Sequence, residues 1–136
     1  MIVDSNVIID LLHGTGSRAD RVFDCYVRLR ASGPGVINPV IFAESASGSP
    51  SQDSFERRLV ELRLGVEHLS NADAFRASHA FREYRRNGGP RATILPDFLI
   101  GAQASVRGWP ILTRDPKRFS SYFPEVELID PLKTEP

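Results

Sequence analysis

Four acids stand where an apolar run has just ended or a helix is beginning: Asp4, Glu44, Asp97 and Asp115. Asp4 closes the short run Met1–Asp4, and Asp115 follows the run Pro110–Thr113. Glu44 comes four residues after Val40 and three after Ile41, spacings that place it on their face of a helix. Asp97 heads a stripe with Ile100, Gly101 and Ala104, three, four and seven residues on, so it belongs to the buried side of its helix. Singly, each acid also has an ordinary structural role. Asp115 before Pro116 suits an N-cap. Asp97 falls in a first turn, where the helix dipole favours an anion. Asp4 can cap the helix beginning near Ser5, and Glu44 is a surface glutamate if its helix is turned the other way. Together they make a stronger demand. Four carboxylates converging at one partly buried place repel each other and need a compensating cation. All-oxygen ligation suits a hard divalent ion, Mg²⁺ or Mn²⁺. Zinc chemistry is not indicated, because there is one cysteine, Cys25, and His13, His68 and His79 have no ligand-like spacing.

The elements that must position these acids alternate between short β-rich runs and helical patterns. Strands are expected at Met1–Asp4, Val36–Ile37, Val66–Leu69, Pro110–Thr113 and Val126–Ile129. Helices are expected over Ser5–His13, Ser17–Ser32, Pro39 to about Ser47, Gln52–Leu64, from the cap Ser70 to about Asn87, Pro96 to about Arg107, and in a short turn opened by Asp115 and Pro116. The second helix reads as burying Ala19, Val22, Phe23, Tyr26 and Leu29, and the fifth as burying Ala74, Ala77, Phe81 and Tyr84. Asn38-Pro39 is a cap followed by proline at the first helical position. Such alternation implies an α/β fold with a parallel sheet covered on both faces. Ligands of such sheets bind at the carboxyl ends of the strands, near a topological switch point. Asp4 and Asp115 belong at that edge if their strands are adjacent.

The 136 residues fit one domain, 1–136, with residues 130–136 expected to fray. Lys+Arg and Asp+Glu both number 17, so the formal net charge is zero, and adhesion to nucleic acid by bulk charge is excluded. Without the four acids, 17 basic residues face 13 acidic ones, so the zero conceals an acidic pocket within a moderately basic surface. The arginines between Arg76 and Arg91 outnumber the acids there. Arg82, Arg85 and Arg86 share one helix face, and Arg114, Lys117 and Arg118 border Asp115. Both groups are candidate RNA contacts, although cations also belong at helix C-termini without any ligand. No apolar stretch approaches membrane-spanning length. Asp4 and Asp10 interrupt the N-terminal apolar run, which is unlike a signal peptide, and a cytoplasmic setting is expected.

Four segments carry a resemblance to the PIN-domain ribonucleases, specifically the VapC-type toxins of type II toxin–antitoxin pairs. They are Ile2-Val3-Asp4-Ser5-Asn6-Val7-Ile8-Ile9-Asp10, Phe42-Ala43-Glu44, residues 96–104 (PDFLIGAQA), and Ile111-Leu112-Thr113-Arg114-Asp115 with Phe119 four residues on. Their order and spacing span nearly the whole chain. The departures are Gly101, where alanine is common, and a somewhat long loop before Pro96 containing Gly88-Gly89. The resemblance implies a three-layer α/β/α sandwich with a parallel sheet of four to five strands. It implies an Mg²⁺-dependent endoribonuclease, usually dimeric and held inactive by a cognate antitoxin. Asp4, Glu44, Asp97 and Asp115 would then be the metal-binding catalytic quartet, with Ser5, Asn6 and Thr113 as supporting polar groups. Asp10 matches no metal position and is expected on the exposed side of its helix. An antitoxin would lie over an apolar groove, for which the helices around Val7–Leu12 and Phe55–Leu62 are candidates.

Other readings fare less well. A haloacid dehalogenase-type phosphatase needs a second Asp two residues after the first, where this chain has Asn6. Gly14-Thr15-Gly16 lacks the third glycine and the preceding strand of a dinucleotide fingerprint. A PIN nuclease outside a toxin pair, or a non-catalytic PIN-like module that binds partners, remains open. The four acids favour an enzyme.

Overall fold

A computed structural model describes residues 1–90 and 95–133. Arg91, counted above among the clustered arginines, lies outside the described residues. The elements in chain order are β1 (Ile2–Val3), α1 (Ser5–His13), α2 (Ser17–Arg30), β2 (Gly35–Ile37), α3 (Pro39–Ala46), α4 (Gln52–Glu61), β3 (Leu64–Val66), α5 (Asn71–Arg86), α6 (Leu95–Arg107), β4 (Ile111–Leu112), α7 (Lys117–Ser120) and β5 (Leu128–Ile129). All strand pairs are parallel, in the order β3-β2-β1-β4-β5. Successive strand residues point to opposite faces. Ile2 and Val3, and likewise Ile111 and Leu112, are all fully buried, so both faces of the sheet are covered. The chain builds outward from β1 to β2 and β3, then crosses to β4 and β5 on the other side. The switch point therefore lies between β1 and β4, whose last residues are followed by Asp4 and Thr113.

The helices begin and end for local reasons. Asp4 is the N-cap of α1. Asn38 accepts from the Ile41 amide at 2.9 Å, with Pro39 next in sequence, and so starts α3. Ser70 and Asp73 form a reciprocal capping box on α5, satisfying two amides that a helix start leaves without partners. That helix closes where Gly88 takes φ +82° and the Gly89 amide donates back to the Tyr84 carbonyl, a left-handed closure natural to glycine.

Several expectations are corrected. The third strand is Leu64–Val66, not Val66–Leu69, because Arg63 at φ +56° ends the preceding helix early and Leu64 pairs with Gly35. Phe23 is exposed on α2 and Ala74 on α5, each one step off the buried stripe. Of the expected fray over 130–136, residues 130–133 form a held turn, in which Arg21 Nη2 donates to the Leu132 carbonyl at 2.6 Å and Pro131 is buried, and residues 134–136 lie outside the described residues. Gly101 has a packing reason, since a Cβ there would lie 2.3 Å from the buried Phe123 ring.

The α5–α6 pair bears directly on the site. Asp73, at the start of α5, pairs with Arg107, at the end of α6. At the other end, Phe98 packs its ring against Phe81, Tyr84, Tyr122 and Phe123 with centroids 5.4–6.3 Å apart. Each such ring pair contributes about 0.5–1.5 kcal/mol beyond its area burial. The two helices are thus antiparallel, and the cluster locks the turn of α6 that carries Asp97.

Candidate active site

Asp4 is fully buried at the carboxyl end of β1. Its Oδ1 accepts from the Ser5 amide at 2.8 Å and lies 3.5 Å from the Ser5 hydroxyl. Its Oδ2 accepts from Thr113 Oγ1 at 2.7 Å and from Arg118 Nη1 at 2.8 Å. Thr113, fully buried at the end of β4, also accepts from the Asp115 amide at 3.0 Å. Asn6 Nδ2 lies 3.5 Å from the same hydroxyl, and Asn6 Oδ1 accepts from the Arg114 amide at 3.2 Å. One hydroxyl, with one donor and two acceptor positions, is fully used. It ties the first acid to the turn that carries Asp115.

Asp97 reaches the same place from the first turn of α6. Its Oδ1 accepts from Arg118 Nε at 3.0 Å and also from Arg118 Nη2. Arg118 therefore bridges Asp4 and Asp97, with side-chain exposures of 23% for the arginine and 0% and 19% for the acids. Burial opposes the charge on Arg118. The hydrogen bond to Asp97 and the fields of Asp4, Asp97 and Glu44 outweigh it and hold the guanidinium more firmly protonated than usual.

Glu44 is exposed rather than aimed into the core, yet it shares this field. Partial desolvation, then the charges of Asp4 and Asp97, push its carboxyl above the ordinary value, against a Ser5 hydrogen bond and Arg118. Asn38 fixes its helix: while its Oδ1 caps α3, its Nδ2 donates to Gln103 Oε1 of α6 at 3.0 Å. Both residues are fully buried. Sequence marked Asn38 as a cap, but nothing in it marked Gln103 as the partner.

Asp4, Asp97 and Glu44 are thus brought together. Asp115 is exposed, and only its backbone joins the network, through Thr113. The cap of α7 is Pro116, with no side-chain bond, so Asp115 is not the helix cap its sequence suggested. Among the described residues, no group of three or more His, Cys, Asp or Glu side chains is set to hold a metal ion. The donor set nonetheless fits Mg²⁺ or Mn²⁺. Two carboxylates already converge on one cationic centre, and Mg²⁺ typically takes only one or two carboxylates and keeps several waters.

Asp10 was expected on the exposed side of α1, but it is buried. Arg114 Nε lies 2.7 Å from Asp10 Oδ2, a close ion pair not aligned as a hydrogen bond, and Arg18 Nη2 lies 3.9 Å from Oδ1. The reason is geometric: one helical turn beyond Asn6, α1 still faces the chain leaving β4. Arg114 and Arg118 are therefore engaged with acids. Lys117, Arg82, Arg85 and Arg86 are exposed, and the three arginines line a shallow groove of about 480 Å³ with Ser78 and Phe81. The helix pairing puts this groove at the Asp97 end of α6. His13, His68 and His79 are all exposed. Around the apolar groove expected near Val7–Leu12 and Phe55–Leu62, Val7, Ile8, Leu12, Phe55, Leu59 and Leu62 belong to the core, whereas Ile9 and Val60 are exposed. No helix among the described residues is long and apolar enough to cross a membrane.

The family model described as PIN domain matches residues 1–122. Among curated proteins no sequence matches. Similar solved structures include VapBC2 from Rickettsia felis bound to a DNA fragment from its promoter, with 17% identity, 93% of this chain and 95% of that chain covered, and a TM-score of 0.72. FitAcB from Neisseria gonorrhoeae gives 19% identity, 98% and 99% coverage, and a TM-score of 0.69. A toxin–antitoxin complex from Klebsiella pneumoniae gives 23% identity, 96% coverage of each chain, and a TM-score of 0.67. At these identities the likeness shows the fold.

Proposed function

The chain belongs to the PIN-domain family, and from that premise we propose that it is an Mg²⁺-dependent endoribonuclease, the toxin of a toxin–antitoxin pair. One observation carries the reading: two largely buried carboxylates, Asp4 and Asp97, converge on a single cation at the switch point of a parallel sheet. A site that concentrates negative charge where α/β proteins bind ligands is built for a metal and an anionic substrate.

When bound, the ion supplies a water of lowered pKa and neutralises charge on the phosphate oxygens. Asp4 and Asp97 would hold it directly. Ser5 and Thr113 hold the Asp4 carboxylate in one orientation, and Asn6 holds the backbone beside Thr113. Glu44, exposed within the field of Asp4 and Asp97, would orient the attacking water and accept its proton as general base. Asp115 completes the acidic rim. Arg82, Arg85, Arg86 and Lys117 draw the RNA backbone toward the pocket. The partner is a cognate antitoxin, in keeping with the complexes that share the fold, and the toxin acts as a cytoplasmic homodimer.

The test is purified Asp4→Asn with labelled RNA and Mg²⁺. Cleavage is expected to disappear, and undiminished Mg²⁺-dependent cleavage sinks the assignment. The pairing of Arg118 with both acids favours a second reading, a partner-binding module that needs no metal. Calorimetry separates the two: Mg²⁺ binding that Asp97→Ala abolishes supports the enzyme, and no binding by the native chain, Arg118→Gln or Arg118→Lys supports the module.

A further inference from the structure

The pocket contains a cation of its own. Arg118 gives Nη1 to Asp4 Oδ2, and both Nε and Nη2 to Asp97 Oδ1. The guanidinium thus occupies the space between the two carboxylates, where a divalent ion held by both would sit. An ion bound directly by Asp4 and Asp97 and a guanidinium on the same oxygens exclude each other, by occupancy and by repulsion between like charges. The arrangement is also well supported. The Arg118 guanidinium lies over the buried Phe119 ring, 5.2 Å from its centroid, and α7 begins one residue earlier, so the side chain leaves a fixed base.

We propose that Arg118 is an exchangeable counter-cation of the metal site: it fills the pocket of the metal-free chain and must be expelled for a divalent ion to bind. The inference rests on the metal-site reading of Asp4 and Asp97. It explains how two largely buried carboxylates are tolerated without metal. A buried acid left without a partner is strongly destabilising, and Arg118 serves both at once. It also lowers the apparent metal affinity, since each binding event must break the guanidinium's bonds. A site whose competent form is minor binds more weakly in proportion. Charge favours the exchange at sufficient metal concentration, because a doubly charged ion replaces a singly charged one among Asp4, Asp97 and Glu44. The expelled guanidinium remains tethered beside the pocket by its place on α7.

The test compares the full chain with Arg118→Gln and Arg118→Lys. Mn²⁺ and Mg²⁺ binding are measured by calorimetry, and melting temperatures in chelator and in excess metal. Arg118→Gln is expected to bind Mn²⁺ about tenfold more tightly or better, to melt lower than the native chain in chelator, and to regain most of that loss in metal. Arg118→Lys keeps the charge but loses the planar fork, so its affinity should fall between the two. If Arg118→Gln does not fold in chelator, Arg118→Lys alone decides: affinity no greater than native overturns the exchange. Equal or weaker Mn²⁺ binding by Arg118→Gln, with native binding that Asp4→Asn abolishes, overturns the exchange and leaves the nuclease reading standing. Absence of Mn²⁺ and Mg²⁺ binding in the native chain and in both Arg118 variants overturns both.

Discussion

Two aspartate–arginine pairs join the same two stretches of chain, and they are built differently. Asp10 on α1 pairs with Arg114, and Asp4 at the head of α1 pairs with Arg118. The first is close to one acid for one arginine, with Arg18 only at the edge. The second gives one arginine two largely buried acids and places it in the field of a third. A balanced pair needs nothing further and serves to hold α1 against the chain leaving β4. An unbalanced one retains a net negative charge after every internal partner is counted. That excess separates a candidate metal site from a structural clamp made of the same residue types, a few residues away.

The contrast is sharpest when both acids lose their charge. Asp4→Asn should reduce RNA cleavage by about a hundredfold or more, the scale on which removing one well-placed polar group slows a reaction. Asp10→Asn should leave cleavage within a few-fold of native and lower stability by about 1–2 kcal/mol. That is less than a fully buried pair loses on being broken, because Arg114 can turn toward water. Equal losses of activity from the two variants, measured with labelled RNA and by thermal melts, would erase the distinction between clamp and site. A smaller effect is expected at the groove on α5. Arg85→Glu with Arg86→Glu should weaken RNA binding by about tenfold and flatten its dependence on salt concentration, as the loss of phosphate contacts requires. An unchanged slope removes this groove from the RNA path.

The smallest effect concerns Glu44. Its carboxyl is raised above 4.5 in the folded chain, first by desolvation and then by Asp4. The folded state then binds that proton more tightly than the unfolded one, so ionised Glu44 destabilises the metal-free fold, and stability falls as pH rises through the window above 4.5. Glu44→Gln should therefore melt slightly higher than native in chelator at pH 7. The gain should shrink below pH 4.5, where the native carboxyl is protonated in both states. Melts at the two pH values decide it. A gain that persists in acid assigns the effect to packing instead of charge.

Much of this protein is readable locally, because the signals are local. Apolar runs ending in Asp4 and Thr113, the Asn38-Pro39 start, the capping residue Ser70 and the glycine stop at Gly88 each lie within a few residues of the element they define. They suffice for a parallel α/β fold with acids at the ends of its strands. The third strand was displaced because its first residue, Leu64, reads as the end of a helix until the left-handed Arg63 and the pairing with Gly35 are seen. Gly101 reads as a departure until Phe123 is found packed against it. The site divides in the same way. The residue types, the strand ends before Asp4 and Asp115 and the helix start at Asp97 are written in the chain, and so is the zero net charge that hides them. Which acids meet, that Asp10 is buried, and that Arg118 is the cation between Asp4 and Asp97 were decided only by tertiary packing. Arg118 and Asp4 are 114 residues apart. Spacing along a helix or strand can set the face a side chain takes, but not the distant segment that the folded chain places opposite it.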